Sequence, residues 1–177
     1  MTDEELNRRM MDLSWPLVLV ACCGPKLAHR VPAQDLYTSD LFRKSRAYAE
    51  QFGYAWYILS VKHGIVPPNE VIDPYDETLA RKSAHERSSW NKMVLNQWQG
   101  GTGHPVVVLA GKDYRGWIAR AHGTFSVPME GMGIGRQKAW LKARLAESCV
   151  CRFDEDNRTG SRLVDLVSMD AQGRLLR

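Results

Sequence analysis

Several things are scarce in this sequence, and each scarcity removes a class of protein. No apolar run approaches the roughly 20 residues needed to span a bilayer, so no membrane partner is expected. The first residues, Met1-Thr2-Asp3-Glu4-Glu5, are acidic and lack the basic start and apolar core of a secretory signal, which reads as a cytoplasmic protein. There are four cysteines, arranged as Cys22-Cys23 and Cys149-x-Cys151. Neither pair has the spacing of a structural zinc site, so no metal is expected, and no cofactor motif appears. Excess charge is also small: a net +4 is a mild bias toward anionic partners. There is no internal repeat, no low-complexity segment and no visible domain boundary.

What remains is an ordinary globular composition, 44% hydrophobic and 25% charged over 177 residues. That is enough chain for one domain with its own core. Three continuous apolar runs read as strands buried on both faces: Leu17 to Cys23, Tyr54 to Val61 and Pro105 to Ala110. Between them the periodicity predicts helices. One runs from a cap at Ser39 or Asp40 to Phe52, with a stripe of Leu41, Ser45, Tyr48 and Phe52 and a stop at Gly53. Another runs from Thr78 to about Gln99, capped by Asp76 or Glu77, with Trp90, Met93, Val94 and Trp98 on one side. Short elements are expected over 3–13, 113–122 and 124–127. A last helix from Gly135 to about Glu147 turns Trp140, Leu141 and Leu145 inward. From about residue 151 a charged stretch leads to a strand or hairpin. Strands alternating with helices imply an α/β domain, a mainly parallel sheet in a three-layer α/β/α arrangement.

In such sheets ligands sit beyond the carboxyl ends of the strands. Nearly every unusual residue falls at that predicted edge. After the first strand come Gly24, Pro25 and Lys26. After the second come Lys62 and His63, then a long polar loop over 59–77 with Glu70, Asp73, Tyr75, Asp76 and Glu77. After the third come Gly111, Lys112, Asp113 and Tyr114. After the short strand come Gly131, Gly133, Gly135, Arg136 and Gln137. A loop this long is far beyond the about 2–6 residues a simple connection needs.

Each group has a chemical and a structural reading. A histidine is the residue type best suited to acid–base work near neutral pH, and His63 either serves that or shapes the loop. Asp73 and Asp76 flank a rigid Pro74, where a carboxylate can activate water or stabilise an oxocarbenium ion. The glycines before the last helix allow close approach to a phosphate, although the G-x-G-x-x-G pattern of a dinucleotide site is absent. Cys22 or Cys23 could supply a thiol. The basic clusters Arg43, Lys44, Arg46 and Arg136, Lys138, Lys142, Arg144 are either solvated helix faces or a nucleic-acid surface.

Four phrases occur together: Ala21-Cys22-Cys23-Gly24-Pro25-Lys26, Asp35 to Arg43, Trp56 to Gly64, and Pro74-Tyr75-Asp76-Glu77-Thr78-Leu79. They resemble an uncharacterised family of small phage and bacterial proteins whose pattern reads S-C-G-K-x-K … L-Y-x-S-x-L-F-R … W-x-I-L-S-A-K-x-G-L … P-Y-D-x-T-L. The resemblance covers about the first half of the chain, and the sequence departs from it at Cys22 and Pro25. More distantly the motifs are similar to deazaguanine base-modification domains and to uracil-DNA-glycosylase-like α/β folds. The fold expected is therefore uracil-DNA-glycosylase-like or Rossmann-like.

The expected activity is that of a glycosylase or base-exchange enzyme at the N-glycosidic bond of a nucleobase, in DNA or in a nucleotide. Asp73 or Asp76 would orient water or stabilise the sugar cation, and His63 would meet base or phosphate. Tyr37 and Tyr75 would stack on the base; Lys26, Arg43 and Lys62 would hold phosphate. Ser39, Gly111, Tyr114, Gly133, Gly135 and Gln137 would complete the substrate-binding lining. The alternatives are a nucleotide- or DNA-binding module without chemistry, and a thiol enzyme.

Overall fold

A computed structural model describes residues 2, 4, 12, 14–98 and 103–151. Most of the helix expected over 3–13, and all of the strand or hairpin expected beyond residue 151, lie outside the described residues.

The first apolar run becomes β1 (Leu17–Ala21), and every one of its residues is buried. It sits in the middle of a five-stranded sheet. β1 runs parallel to β3 (Ala55–Ser60) on one side and to β6 (Val106–Leu109) on the other. Beyond β6 lies the parallel β7 (Phe125–Ser126), and beyond β3 the antiparallel β4 (Gly64–Val66). The order is β4-β3-β1-β6-β7, a mostly parallel sheet in a mixed α/β protein. Val18, Leu19 and Val20 are completely buried although consecutive side chains point to opposite faces, so both faces of the sheet are covered at its centre. Burial of each such side chain contributes about 1.5–3 kcal/mol.

Two short strands, β2 (Val31–Pro32) and β5 (Val71–Ile72), pair antiparallel as a separate small sheet. Neither was expected. A short helix α1 (Ala33–Leu36) follows β2 directly.

Helix α2 (Asp40–Phe52) is capped by Ser39, whose Oγ accepts a hydrogen bond from the Phe42 amide at 3.2 Å. Gly53 closes it by donating to the Ala49 carbonyl. Its innermost residues are Phe42, Ser45 and Ala49, so the buried stripe is turned from the one the spacing suggested. The reason is a second neighbour. Tyr48 lies on the flank, its ring centroid 5.4 Å from that of Trp140 in α4 (Ile134–Cys151). Lys138 of α4 also reaches Asp40 at 3.1 Å. Lys44 and Lys138 together hold the Asp40 carboxyl below the usual carboxylate range.

The helix expected from Thr78 is two elements. A 3₁₀ turn, Leu79–Arg81, precedes α3 (Ala84–Gln97). The N-cap is Ser83, in a complete capping box: its Oγ accepts from the Glu86 amide, and the Glu86 carboxylate accepts from the Ser83 amide. Asp76 and Glu77 therefore do not cap the helix, and Glu77 instead pairs with Lys82 at 2.6 Å. Trp90 and Val94 face the core as expected, with Met93 and Trp98 packed against it. The segment expected as a helix over 113–122 is two 3₁₀ turns, Lys112–Tyr114 and Ile118–Arg120.

The stretch 59–77 is not one loop. The chain turns back at Lys62-His63 into β4, then runs through β5 before the 73–78 segment. Gln97 at the end of α3 fastens that turn: its Oε1 accepts from the Ile65 amide at 2.8 Å, and its Nε2 donates to the His63 carbonyl at 2.9 Å.

Candidate functional site

From β1 the chain goes to β3 on one side, and later to β6 on the other. The carboxyl ends of β1 and β6 therefore flank the point where the strand order reverses, which is where open α/β sheets leave a crevice. Cys22 stands at this point, its amide donating to the Leu59 carbonyl at 3.0 Å. Gly24 then turns the chain with φ +78°, and a Cβ there would lie 2.5 Å from the Ser39 Cβ. An isolated antiparallel bridge joins Lys26 to Tyr37, backed by the Leu27 amide donating to the Leu36 carbonyl.

These constraints bring hydroxyls and a thiol from distant segments together. The Tyr75 hydroxyl is 2.8 Å from that of Tyr37 and 2.8 Å from Ser60 Oγ. Ser60 Oγ also accepts from the His63 amide at 3.1 Å. The Ser60 carbonyl accepts from the Trp90 indole at 2.9 Å. Across the crevice Cys22 Sγ is 3.4 Å from the Tyr114 hydroxyl, and Trp90 meets the Tyr114 ring edge-on. Burial pushes Tyr37, Tyr75 and Tyr114 well above the ordinary tyrosine pKa, and the neighbouring Cys22 pushes the same way. The three phenols are neutral hydrogen-bonding groups.

Above this cluster lies a pocket of about 390 Å³ lined by Gly24, Pro25, Lys26, Leu27, Pro74, Tyr75 and Asp76. Lys26 Nζ sits 4.4 Å from the centre of the Tyr75 ring. Asp76 is exposed, and its side chain has no hydrogen bond or ion pair among the described residues. The pocket thus offers a cation, an aromatic wall and a free carboxylate side by side.

Of the residues expected to act together, Lys26, Tyr37, His63, Tyr75, Asp76 and Tyr114 do converge. Their detailed placement differs from expectation. Tyr37 is only 2% exposed and cannot present a face to a base. Tyr75 has Lys26 over its ring and the edge of His63 at 5.8 Å, so in this arrangement it is a wall rather than an open stacking platform. His63 Nε2 is buried and has no partner among the described residues.

Other expected residues stand apart. Asp73, Lys62 and Arg43 are exposed and outside the pocket lining. Ser39 serves the backbone: besides capping α2 it donates to the Cys23 carbonyl at 2.9 Å and lies 3.3 Å from Cys23 Sγ. Burial raises the Cys23 thiol, which opposes a thiolate there. Gly111 caps the 3₁₀ turn that carries Tyr114. Gly133 and Gly135 have open space around them, and Gln137 turns back to donate to the Met132 carbonyl at 2.7 Å. Much of the basic surface is paired: Lys44 and Lys138 with Asp40, Arg46 with Asp35 and Glu50, and Arg144 with Glu147.

Ser60, Trp90 and Cys22 in its contact with Tyr114 were not foreseen as a unit. The available signal was Ser60 itself, a hydroxyl at the end of an otherwise apolar strand. Among the described residues, no group of three or more His, Cys, Asp or Glu is placed to hold a metal ion. No described helix is long and apolar enough to cross a membrane.

The molecule is thus a mixed α/β protein with a polar pocket at the carboxyl edge of a mostly parallel sheet. Residues 17–143 match the model of a family of unknown function, DUF6884, and the chain belongs to that family. The match extends the resemblance through β6, β7 and most of α4. No curated protein and no solved structure matches the chain.

Proposed function

We propose that the carboxyl-edge pocket takes a nucleotide unit and that the protein acts on its N-glycosidic bond, by hydrolysis or base exchange. The observation that carries this reading is the placement of Lys26, Tyr75 and the unpartnered Asp76 around one pocket. Lys26 is a point charge for phosphate and swings away from the Tyr75 ring as it engages. The uncovered aromatic face then meets the base. Asp76 is the carboxylate that activates water or stabilises the sugar cation, with Asp73 a subsidiary anion at the rim. His63 acts by holding Tyr75 rather than by touching the ligand. In this reading the fold is of the uracil-DNA-glycosylase-like or Rossmann-like kind and the setting is phage-related and cytoplasmic. A target base in duplex DNA has to be flipped out first.

A second reading is binding without turnover. It is favoured by the exposure of both Asp73 and Asp76, whose side chains have no hydrogen bond or ion pair among the described residues. One experiment separates the two. Nucleotides and oligonucleotides with normal and modified bases are incubated with the protein, and free base and abasic sites are measured beside thermal-shift binding. Base release that Asp76→Asn abolishes without loss of binding supports catalysis. Binding with no release by the wild type leaves the module, and no binding at all removes both readings.

A further inference from the structure

The segment that follows Tyr114 lines a second concavity. It is a pocket of about 410 Å³ between α3 and the 116–120 turn, lined among others by Arg87, Asn91, Lys92, Trp117 and Arg120. Its floor is the buried Trp117, whose indole donates to the Tyr114 carbonyl at 3.0 Å. Its walls carry three cations. Among the described residues Arg87 has a single long ion pair, 3.7 Å, with Asp113. The side chains of Lys92 and Arg120 have no hydrogen bond or ion pair among the described residues. Three positive groups around one concavity repel one another, and the low-dielectric wall strengthens the field there. An anion relieves that repulsion.

Asn91 completes the wall, and its amide has its place because residue 116 is glycine: a Cβ there would come within 2.6 Å of Asn91 Nδ2. The phosphate of a nucleotide unit is an anion of the kind that Lys92 and Arg120 can hold.

The two pockets share one support. The Leu79–Arg81 and Lys112–Tyr114 turns pack on each other, and Tyr114 touches Cys22, two residues before the Gly24 that lines the first pocket. Resting on the reading of that first pocket as a nucleotide site, we infer that the α3 pocket is a second nucleotide-unit site. The bound species is then an oligonucleotide strand that passes over the Tyr114 loop, not a free nucleotide.

The test compares a mononucleotide with a single-stranded oligonucleotide, each titrated at several salt concentrations against the wild type and against Lys92→Ala/Arg120→Ala. Both positions are on the surface, and circular dichroism checks that the double variant folds. The expected result is oligonucleotide affinity about tenfold weaker, with a salt dependence shallower by about 1.4 in log–log slope, two phosphate contacts on a single strand. Lys92→Arg/Arg120→Lys, which keeps the charges, restores most of the affinity. Unchanged oligonucleotide affinity and slope in the alanine variant overturn the inference while leaving the first pocket in place. Failure of the wild type to bind either ligand overturns both.

Discussion

The hydroxyls of Tyr37 and Tyr75 meet at 2.8 Å, although 38 positions separate them in the chain. Tyr75 adds a contact of the same length to Ser60 and so joins the strand end to the segment over the pocket. The two tyrosines are unequal partners. Tyr37→Phe removes one contact and should cost about 1 kcal/mol. Tyr75→Phe removes two at once, leaving buried hydroxyls short of partners, and should cost about 1–3 kcal/mol. Urea denaturation of the two variants measures this, and equal costs would show that Ser60 contributes nothing to the cluster.

Alkaline pH should unfold the protein through the same residues. Burial raises Tyr37, Tyr48, Tyr75 and Tyr114 above the ordinary tyrosine pKa of about 10. Below that value the phenols keep their protons in both states, and stability is unaffected by pH on their account. Above it the unfolded chain releases protons that the folded chain retains, so stability falls as pH rises. Denaturation midpoints from about pH 8 to about pH 11, followed beside tyrosinate absorbance, should show a decline that starts near the ordinary tyrosine pKa. Native protein whose tyrosines all titrate at that ordinary value, without unfolding, would contradict the burial argument.

The capping box at the start of α3 gives a third expectation. Ser83→Ala leaves the Glu86 amide without its acceptor and should lower stability by about 1 kcal/mol. Ser83→Asp, which restores a side-chain acceptor, should recover most of the loss. Thermal melts of the two variants test it. Asp76→Asn and Glu77→Gln serve as comparisons, since neither residue caps this helix.

The legible parts of this fold were those with a long signal. β1, β3 and β6 are runs of apolar residues, the mark of strands inside a parallel sheet, although Ala55, Trp56 and Tyr57 at the start of β3 are only half-buried. From their ends, one rule about parallel sheets was enough to bring Lys26, Tyr75, Asp76 and Tyr114 to a common edge. β2, β4 and β5 were missed because two or three residues carry no period. The break before α3 was written in Ser83-x-x-Glu86, but the surrounding helix-forming residues hid it. Orientation was the least legible property. Whether a tyrosine shows its face or its hydroxyl depends on what stands behind it, and for Tyr75 that is Tyr37 and Ser60, from two distant parts of the chain.

The amide of Gln97 has a consequence for how this molecule meets other chains. By engaging both the Ile65 amide and the His63 carbonyl, it occupies backbone groups that border the β4 side of the sheet. An extended peptide seeking to add itself as a further strand finds those groups already taken. At the opposite border, β7 offers only two residues. Neither end of the five-stranded sheet is a template for β-augmentation, so sheet-to-sheet self-association and amyloid-like stacking are disfavoured by a single side chain and a very short strand.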